Sequence, residues 1–266
     1  MAVVADLHVH TTNSDGAIEL AALPAAAERA GLDAVAVTDH DRIHPDLEEP
    51  VTVVDGLTVV HGIELRVDAG DQHVDLLGYG VERTAALTHE IDRLQRDRVE
   101  RGGKIVARVE DHLGIDLNLE PRPGLGRPHI AQAIAEHPDA SYDVQGAFDE
   151  LIGDGRPCYV ARDVSSVDRG RELLEASCAF VGLAHPLRYE DPASALALTV
   201  DLDAVERWYP YGRDLDESAF DAVDRAIADH ELLATGGSDA HDDRLGLAGL
   251  DRDAYEAVSA RLPASD

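Results

Sequence analysis

An α/β barrel is the fold this sequence predicts, and three observations predict it. Short apolar runs recur along the 266 residues, each followed by polar residues and then by a stretch of helical period, the alternation expected of βα units. The length suits one barrel domain, which typically takes roughly 250 residues. The rhythm breaks only once, between 82 and 162, where strand-like runs give way to charged helical stretches. The barrel is therefore expected in two pieces, 1–81 and 163–266, around an inserted helical cap subdomain at 82–162.

Taken in order, Val3–Leu7 is the first candidate strand. Glu19–Ala30 follows as a helix: it is alanine-rich, tolerates Pro24 near its start and meets Gly31 as a stop. Ala34–Thr38, Leu57–Ile63 and Val74–Tyr79 are the next strands. Inside the insert, Thr88–Leu113 and Ile130–His137 read as helices, broken apart by Pro121, Pro123 and Pro128. An insert at a strand's C-terminal end is expected over the barrel mouth, where such enzymes bind substrate. Ala179–Ala184, Ala204–Trp208 and Leu232–Thr235 complete the strands, with a helix near Glu217–Asp229 feeding the last.

Composition narrows the function. The 23 basic and 53 acidic residues leave a net charge of −30, a surface that repels polyanions, so a long nucleic-acid track is not expected. Lys104 is the only lysine among the basic residues. An acidic, lysine-poor, alanine-rich chain has the make-up of proteins adapted to extreme salt. Cys158 and Cys178 are too few for a disulfide framework and lack CxxC spacing, so both read as structural residues in a reducing compartment. No apolar run approaches the ~18 residues of a membrane span, and no basic leader precedes the first strand. A soluble, cytoplasmic protein is the expectation.

Chemistry-bearing residues gather at the ends of the apolar runs. His8 and His10, at i and i+2 in Asp6-Leu7-His8-Val9-His10-Thr11, share one face of an extended segment and can reach the same cation, with Asp6 placed to orient a ring. Thr38-Asp39-His40 closes the second run, and Gly62-Ile63-Glu64 ends another in a carboxylate able to bridge two metals. An uncompensated buried charge would cost several kcal/mol, so a cationic partner for Glu64 is expected. Ala184-His185-Pro186 and Gly236-Gly237-Ser238-Asp239-Ala240-His241 close the later runs, the glycines letting backbone approach a crowded site. One strand-end histidine is ordinarily structural. Histidines and carboxylates at four separate strand ends point to a metal cluster.

These segments, in this order from Asp6 to His241, resemble the PHP (polymerase and histidinol phosphatase) family. The resemblance implies a distorted (β/α)7 TIM-like barrel, a centre of two or three divalent ions (manganese, zinc or iron) and phosphoester hydrolysis. It implies one metal site from His8, His10, Glu64 and Asp239, with Glu64 shared, and another from Asp15, His40 and His241. Many members carry histidine where Asp15 stands, a departure that bears on which metal is taken there. For the remaining metal Glu64 and His185 match; His73 in Gln72-His73-Val74-Asp75 is the candidate for the last ligand, with His129 competing. Gly126-Arg127-Pro128-His129, Pro157-Cys158-Tyr159-Val160 and Ala184-His185-Pro186-Leu187-Arg188-Tyr189 look like the branch of 3′,5′-nucleotide bisphosphate phosphatases and 5′-to-3′ RNA exonucleases. That branch implies a small phosphorylated partner, a nucleotide or a short RNA 5′ end. Pro128 suits the first helical position, which would put Arg127 and His129 beside an anion-binding helix N-terminus. Arg127, His129 and Arg188 are then candidates for phosphate binding, and His185 or His129 for protonating a leaving alkoxide, with Glu64 essential at the centre.

Other readings are a phosphatase for a different monoester such as histidinol phosphate, an amide hydrolase with a carbamylated lysine bridge, and a catalytically silent metal-binding module. Lys104 lies away from every strand end, which disfavours the lysine bridge, and the ligand set looks complete, which disfavours the silent module.

The charge of −30 carries the first prediction. Molar salt shortens the Debye length to about 3 Å and screens self-repulsion, so the melting temperature should climb steeply from low to molar potassium chloride. A melting temperature flat across that range would refute salt adaptation.

Overall fold

A computed structural model describes residues 2–122, 125–212 and 215–264; Pro123, read above as a helix breaker, lies outside them. The chain divides into two compact units, Met1–Thr88 with Ser165–Asp266, and His89–Val164. The first break falls later than the sequence reading places it, because the long helix α2 (Ala85–Leu113) begins inside the first unit.

The first unit is a nearly closed barrel. Its strands are β1 (Ala5–Val9), β2 (Ala34–Val37), β3 (Val51–Val54), β4 (Leu57–Asp68), β5 (His73–Tyr79), β6 (Phe180–Leu183), β7 (Ala204–Trp208) and β8 (Leu233–Gly236). The path around the wall is β1-β2-β4-β5-β6-β7-β8, with β3 paired to β4 outside it. Neighbours are parallel except at β5, which runs against both β4 and β6. Closure comes where the chain leaving β8 meets the end of β1: Val9 bridges Ala240, and the His10 N–H donates to the Ala240 carbonyl at 2.9 Å. The wall strands are buried on both faces, as the β/α alternation requires. Ala34 and Ala36 face the barrel interior with Leu7, Val60 and Leu77, while Val35 and Val37 face outward onto Leu23, Ala26 and Ala27 of α1 (Leu23–Ala30).

Two strands differ from the sequence reading. Val51–Val54 was not among its strands; it folds back on β4 through Asp55-Gly56, both at positive φ, the demand of a two-residue hairpin turn. β4 runs on to Asp68 rather than stopping at Ile63, because its outer half pairs with the start of β5, from Leu65 opposite Leu76 to Asp68 opposite His73.

Gly31 ends α1 in the left-handed conformation at φ 73°, as its place in the sequence suggested. The second unit contains most of α2, then α3 (Arg127–Glu136) and α4 (Val144–Ala147), which runs on as a π turn over Phe148–Ile152. Its own core joins Ile105 and Val109 to Ile130, Ile134, Leu151 and Cys158. α5 (Val167–Glu175) returns the chain to the barrel, followed by α6 (Pro192–Ala197), α7 (Glu217–His230) and α8 (Arg252–Ser259). Among the described residues no helix is long and apolar enough to cross a membrane.

Candidate metal centre

At the mouth formed by the C-terminal ends of the parallel strands, nine side chains converge: His8, His10, Asp15, His40, Glu64, Asp75, His185, Asp239 and His241. They come from six places in the chain, so each needs its own anchor. Asp39 anchors the first loop. Its carboxylate accepts from Thr11 N–H (2.7 Å), Thr11 Oγ1 (2.8 Å), Ser14 Oγ (2.8 Å) and Asn13 Nδ2 (3.0 Å), binding the turn that carries Asp15 to the end of β2 that carries His40. Asp6 anchors the last loop, accepting from the Ser238 N–H (2.9 Å), the Ser238 hydroxyl (2.5 Å) and the Gly246 N–H (2.8 Å). It therefore braces Asp239 through the backbone and does not orient a histidine ring, the role the sequence suggested for it.

Gly237 shows how tight this closure is. A Cβ there would lie 2.4 Å from the backbone nitrogen of His8, so no other residue fits without parting β1 from the chain after β8. His185 (φ 27°) and Asp239 (φ 51°) both occupy the left-handed region that side chains rarely adopt. Such backbone persists only where its surroundings over-determine it, and both residues aim side chains into the cluster.

Glu64 is wholly buried at the middle. Its Oε2 lies 2.7 Å from His40 Nδ1, 3.4 Å from His10 Nε2 and 3.5 Å from His8 Nε2, while Oε1 lies 3.0 Å from His185 Nε2. Asp239 Oδ1 is 3.0 Å from His10 Nε2 and 3.5 Å from His8 Nε2. Donors held about 2.0–2.2 Å from one tetrahedral ion sit roughly 3.4 Å from each other, so the spacing of His8, His10, Glu64 and Asp239 is that of a shared cation. The atoms facing that point, His8 Nε2, His10 Nε2, Glu64 Oε2 and Asp239 Oδ1, are buried without a hydrogen-bond partner. Native interiors seldom leave such groups unsatisfied, and these four fit a metal. His10, Asp15, His40 and His241 form a second group, more open because Asp15 and His241 are exposed.

Electrostatics give the same picture. Burial pushes the Glu64 carboxyl up, but the imidazoles of His40 and His8 outweigh it and hold the group well below the carboxylate range. Burial disfavours charge on His40, yet Glu64 and Asp15 raise it to about 9. His8 likewise stays raised against its burial because Glu206 and Glu64 face it. Asp239 is depressed, its burial overcome by the imidazoles of His10 and His8 beside it. A cation binding here would compete with protons on His8 and His40.

The structure sets one predicted ligand away from the centre. His73 is exposed, paired with Asp68 at the outer end of the β4–β5 hairpin. Asp75, two residues further along the same face of β5, is the side chain that joins Glu64 and His185. Because β5 runs antiparallel, its start rather than its end lies at the mouth, and His73 overshoots. Glu206 on β7 was missed altogether. It is wholly buried, accepts from the backbone N–H of His185 at 2.7 Å and stands 3.1 Å from His8 Nδ1, leaving His8 Nε2 for a metal. Its signal was the one that exposed Glu64, an acidic residue inside an apolar strand. Tyr209 is a further addition: with Arg188 it holds Asp239 Oδ2, at 2.8 and 2.9 Å.

Arg127, Pro128 and His129 open α3 in the second unit, with Arg127 as the first helical residue and Pro128 the second. The Gly126 N–H donates to His129 Nδ1 (3.2 Å); Arg127 pairs with Asp154 (2.8 Å) and lies over the Tyr159 ring. Lys104 is exposed on α2, and Cys158 and Cys178 are both unpaired.

Comparison with known proteins agrees with this architecture. The PHP domain family matches residues 6–157. A 5′-3′ exoribonuclease Rnm of Escherichia coli is 27% identical over 255 residues, 90% of this chain and 86% of that protein. A 3′,5′-nucleoside bisphosphate phosphatase of Chromobacterium violaceum is 26% identical over 194 residues, 70% of this chain and 67% of that protein. The crystal structure of a Bifidobacterium adolescentis protein superposes with a TM-score of 0.76 at 23% identity, covering 99% of this chain and 98% of that one.

Glu206 gives a test of the centre. Glu206→Gln keeps the shape but removes the charge behind His8, so manganese affinity should fall tenfold to a hundredfold while the circular dichroism spectrum is preserved. An unchanged affinity by calorimetric titration would assign Glu206 to folding alone.

Proposed function

The chain belongs to the PHP domain family, and we propose that it is a metal-dependent phosphoesterase hydrolysing a phosphate ester of a nucleotide, either a 3′,5′-nucleotide bisphosphate or the 5′ end of a short RNA. The observation that carries this reading is the set of four buried, unpartnered donor atoms of His8, His10, Glu64 and Asp239 facing one point. His8, His10, Glu64 and Asp239 would hold one ion, and Asp15, His40 and His241, with His10 beside them, another. Two or three ions of manganese, zinc or iron, when bound, supply a water ionised near neutral pH and positive charge for the phosphoryl oxygens. No protein nucleophile is needed.

The remaining roles fall to this chain's own groups. His185, whose Nε2 lies 3.0 Å from Glu64, and His129 are the candidates to protonate the leaving alkoxide. Arg127 and Arg188 are the candidates to clamp a phosphate; Arg127 would exchange Asp154 for it, and Arg188 would keep its hold on Asp239. The names of both relatives describe cleavage of a phosphate ester of nucleotides, which supports the substrate class. The net charge of −30 favours a small substrate over a long strand. We place the protein in the cytoplasm of a salt-adapted cell, on its charge and its unpaired cysteines.

A panel of 3′-phosphoadenosine 5′-phosphate, short 5′-phosphorylated RNA and histidinol phosphate, assayed with manganese, tests the substrate. Turnover is expected on one or both nucleotides; release from histidinol phosphate alone would replace the nucleotide reading. Glu64→Gln should abolish that turnover, since the shared carboxylate loses its charge at unchanged volume, and near-normal rates would remove Glu64 from the centre.

Arg127→Ala separates a phosphate handle from a surface arginine. A charge-assisted contact to a second phosphate is worth about 2 kcal/mol, roughly thirtyfold in kcat/KM on bisphosphate substrates, with little change on p-nitrophenyl phosphate. Equal losses on both would assign Arg127 to the reacting phosphate.

A further inference from the structure

The donors at the mouth fall into four overlapping groups: His8 with His10 and Glu64, His8 with His185 and Asp239, His10 with Asp15, His40 and His241, and Glu64 with Asp75 and His185, the last built differently from the others. Around His8 and His10 the inward atoms of His8, His10, Glu64 and Asp239 are buried and unsatisfied. In the Glu64–Asp75–His185 group, both oxygens of Asp75 are taken. Arg66 Nε donates to Asp75 Oδ1 at 2.8 Å and Arg66 Nη2 to Asp75 Oδ2 at 2.6 Å, a two-pronged pair with a carboxylate that is almost wholly buried. No atom of Asp75 is among the unsatisfied groups. Nor is Glu64 Oε1 free, since His185 Nε2 lies 3.0 Å from it.

The pair is set by the sheet, not by a chance rotamer. Arg66 and Asp75 stand directly opposite each other in the β4–β5 ladder, one pair outward from Leu65 and Leu76. Opposite charges at directly facing positions hold each other in register. The Arg66 backbone is fixed as well, its N–H donating to Asp41 Oδ1 at 3.1 Å. A guanidinium remains charged at any physiological pH and matches a carboxylate with both prongs. It therefore delivers at this group a permanent positive charge of the kind a cation would bring.

We propose that the centre of this chain holds two ions, and that the Arg66–Asp75 pair takes the place of a third. The inference rests on the metal-centre reading above and says how many ions that centre accepts. A divalent ion entering between Glu64, Asp75 and His185 would have to share Asp75 with a fixed positive charge and would meet a carboxylate already neutralised. Among the described residues, the arginine paired with a donor of the other groups is Arg188, which holds only the outward oxygen of Asp239.

Equilibrium dialysis of the full chain against manganese in molar potassium chloride, followed by elemental analysis, tests this without reference to turnover. The wild type should bind two equivalents. Arg66→Met, which keeps a stem of similar length and frees Asp75, should bind three; Asp75→Asn should still bind two, and so should the Arg66→Met/Asp75→Asn double variant. Three equivalents in the wild type, falling to two in Asp75→Asn, would overturn the inference by making Asp75 a ligand alongside its arginine. A folded Arg66→Met that stays at two would equally overturn it. If Arg66→Met does not fold, the wild-type and Asp75→Asn values decide alone. Less than one equivalent in the wild type would instead remove the metal centre itself, a different failure.

Discussion

The burial of one carboxylate governs this structure. Glu64 sits with no solvent exposure in the wall of the barrel, where an isolated charge would cost several kcal/mol and would abolish itself by protonation. It is kept ionised by the imidazoles of His40 and His8 and by the hydrogen bond to His185, at 2.7, 3.5 and 3.0 Å. Those imidazoles come from β1, β2 and the turn after β6, so satisfying one charge requires the barrel to bring three separate strand ends to one point. Fold and centre are thus one requirement.

The other buried acids distribute that requirement. Asp6 and Asp39 spend their oxygens on backbone N–H groups and hydroxyls, fixing the loops that carry Asp239 and Asp15, while Glu206 braces His8 and the backbone of His185. Hydrogen bonds to ionised groups are stronger than neutral ones, which is what holding His185 and Asp239 in left-handed backbone demands. Gly237 removes the last obstacle to closure beside His8. The surface is governed by the opposite physics. Its acids are dispersed and solvated, and their mutual repulsion depends on salt, whereas the buried acids are shielded from it.

β5 is where the barrel departs from a regular βα repeat. Running against both neighbours, it presents its first residues at the mouth and so contributes Asp75, whose partner Arg66 is delivered by the extended end of β4. A strand reversed in one place changes which chemical groups the site receives. It also allows a charge pair to be written into the ladder itself, a device that a parallel neighbour with slanted hydrogen bonds would place in a different register.

Much of the barrel was legible in the sequence because it rests on local rules. Short apolar runs made Ala34–Val37 and Ala204–Trp208 visible as strands, Gly31 marked the end of a helix, and His8 and His10 announced a shared face through their spacing. Each of these depends on the period of a strand or a helix, which the residues themselves carry. Strand direction and register are not local, since they follow from which partner a strand finds. That is why His73 looked as suitable as Asp75, why Glu206 passed as an ordinary acid, and why Asp6 was assigned to a ring when it serves the backbone of Ser238 and Gly246. The sequence by itself determined that histidines and carboxylates would stand at strand ends. Only the tertiary structure decided which of them meet, because a reversal of one strand or a shift of two residues along it moves a side chain by about 7 Å, more than the width of a metal site.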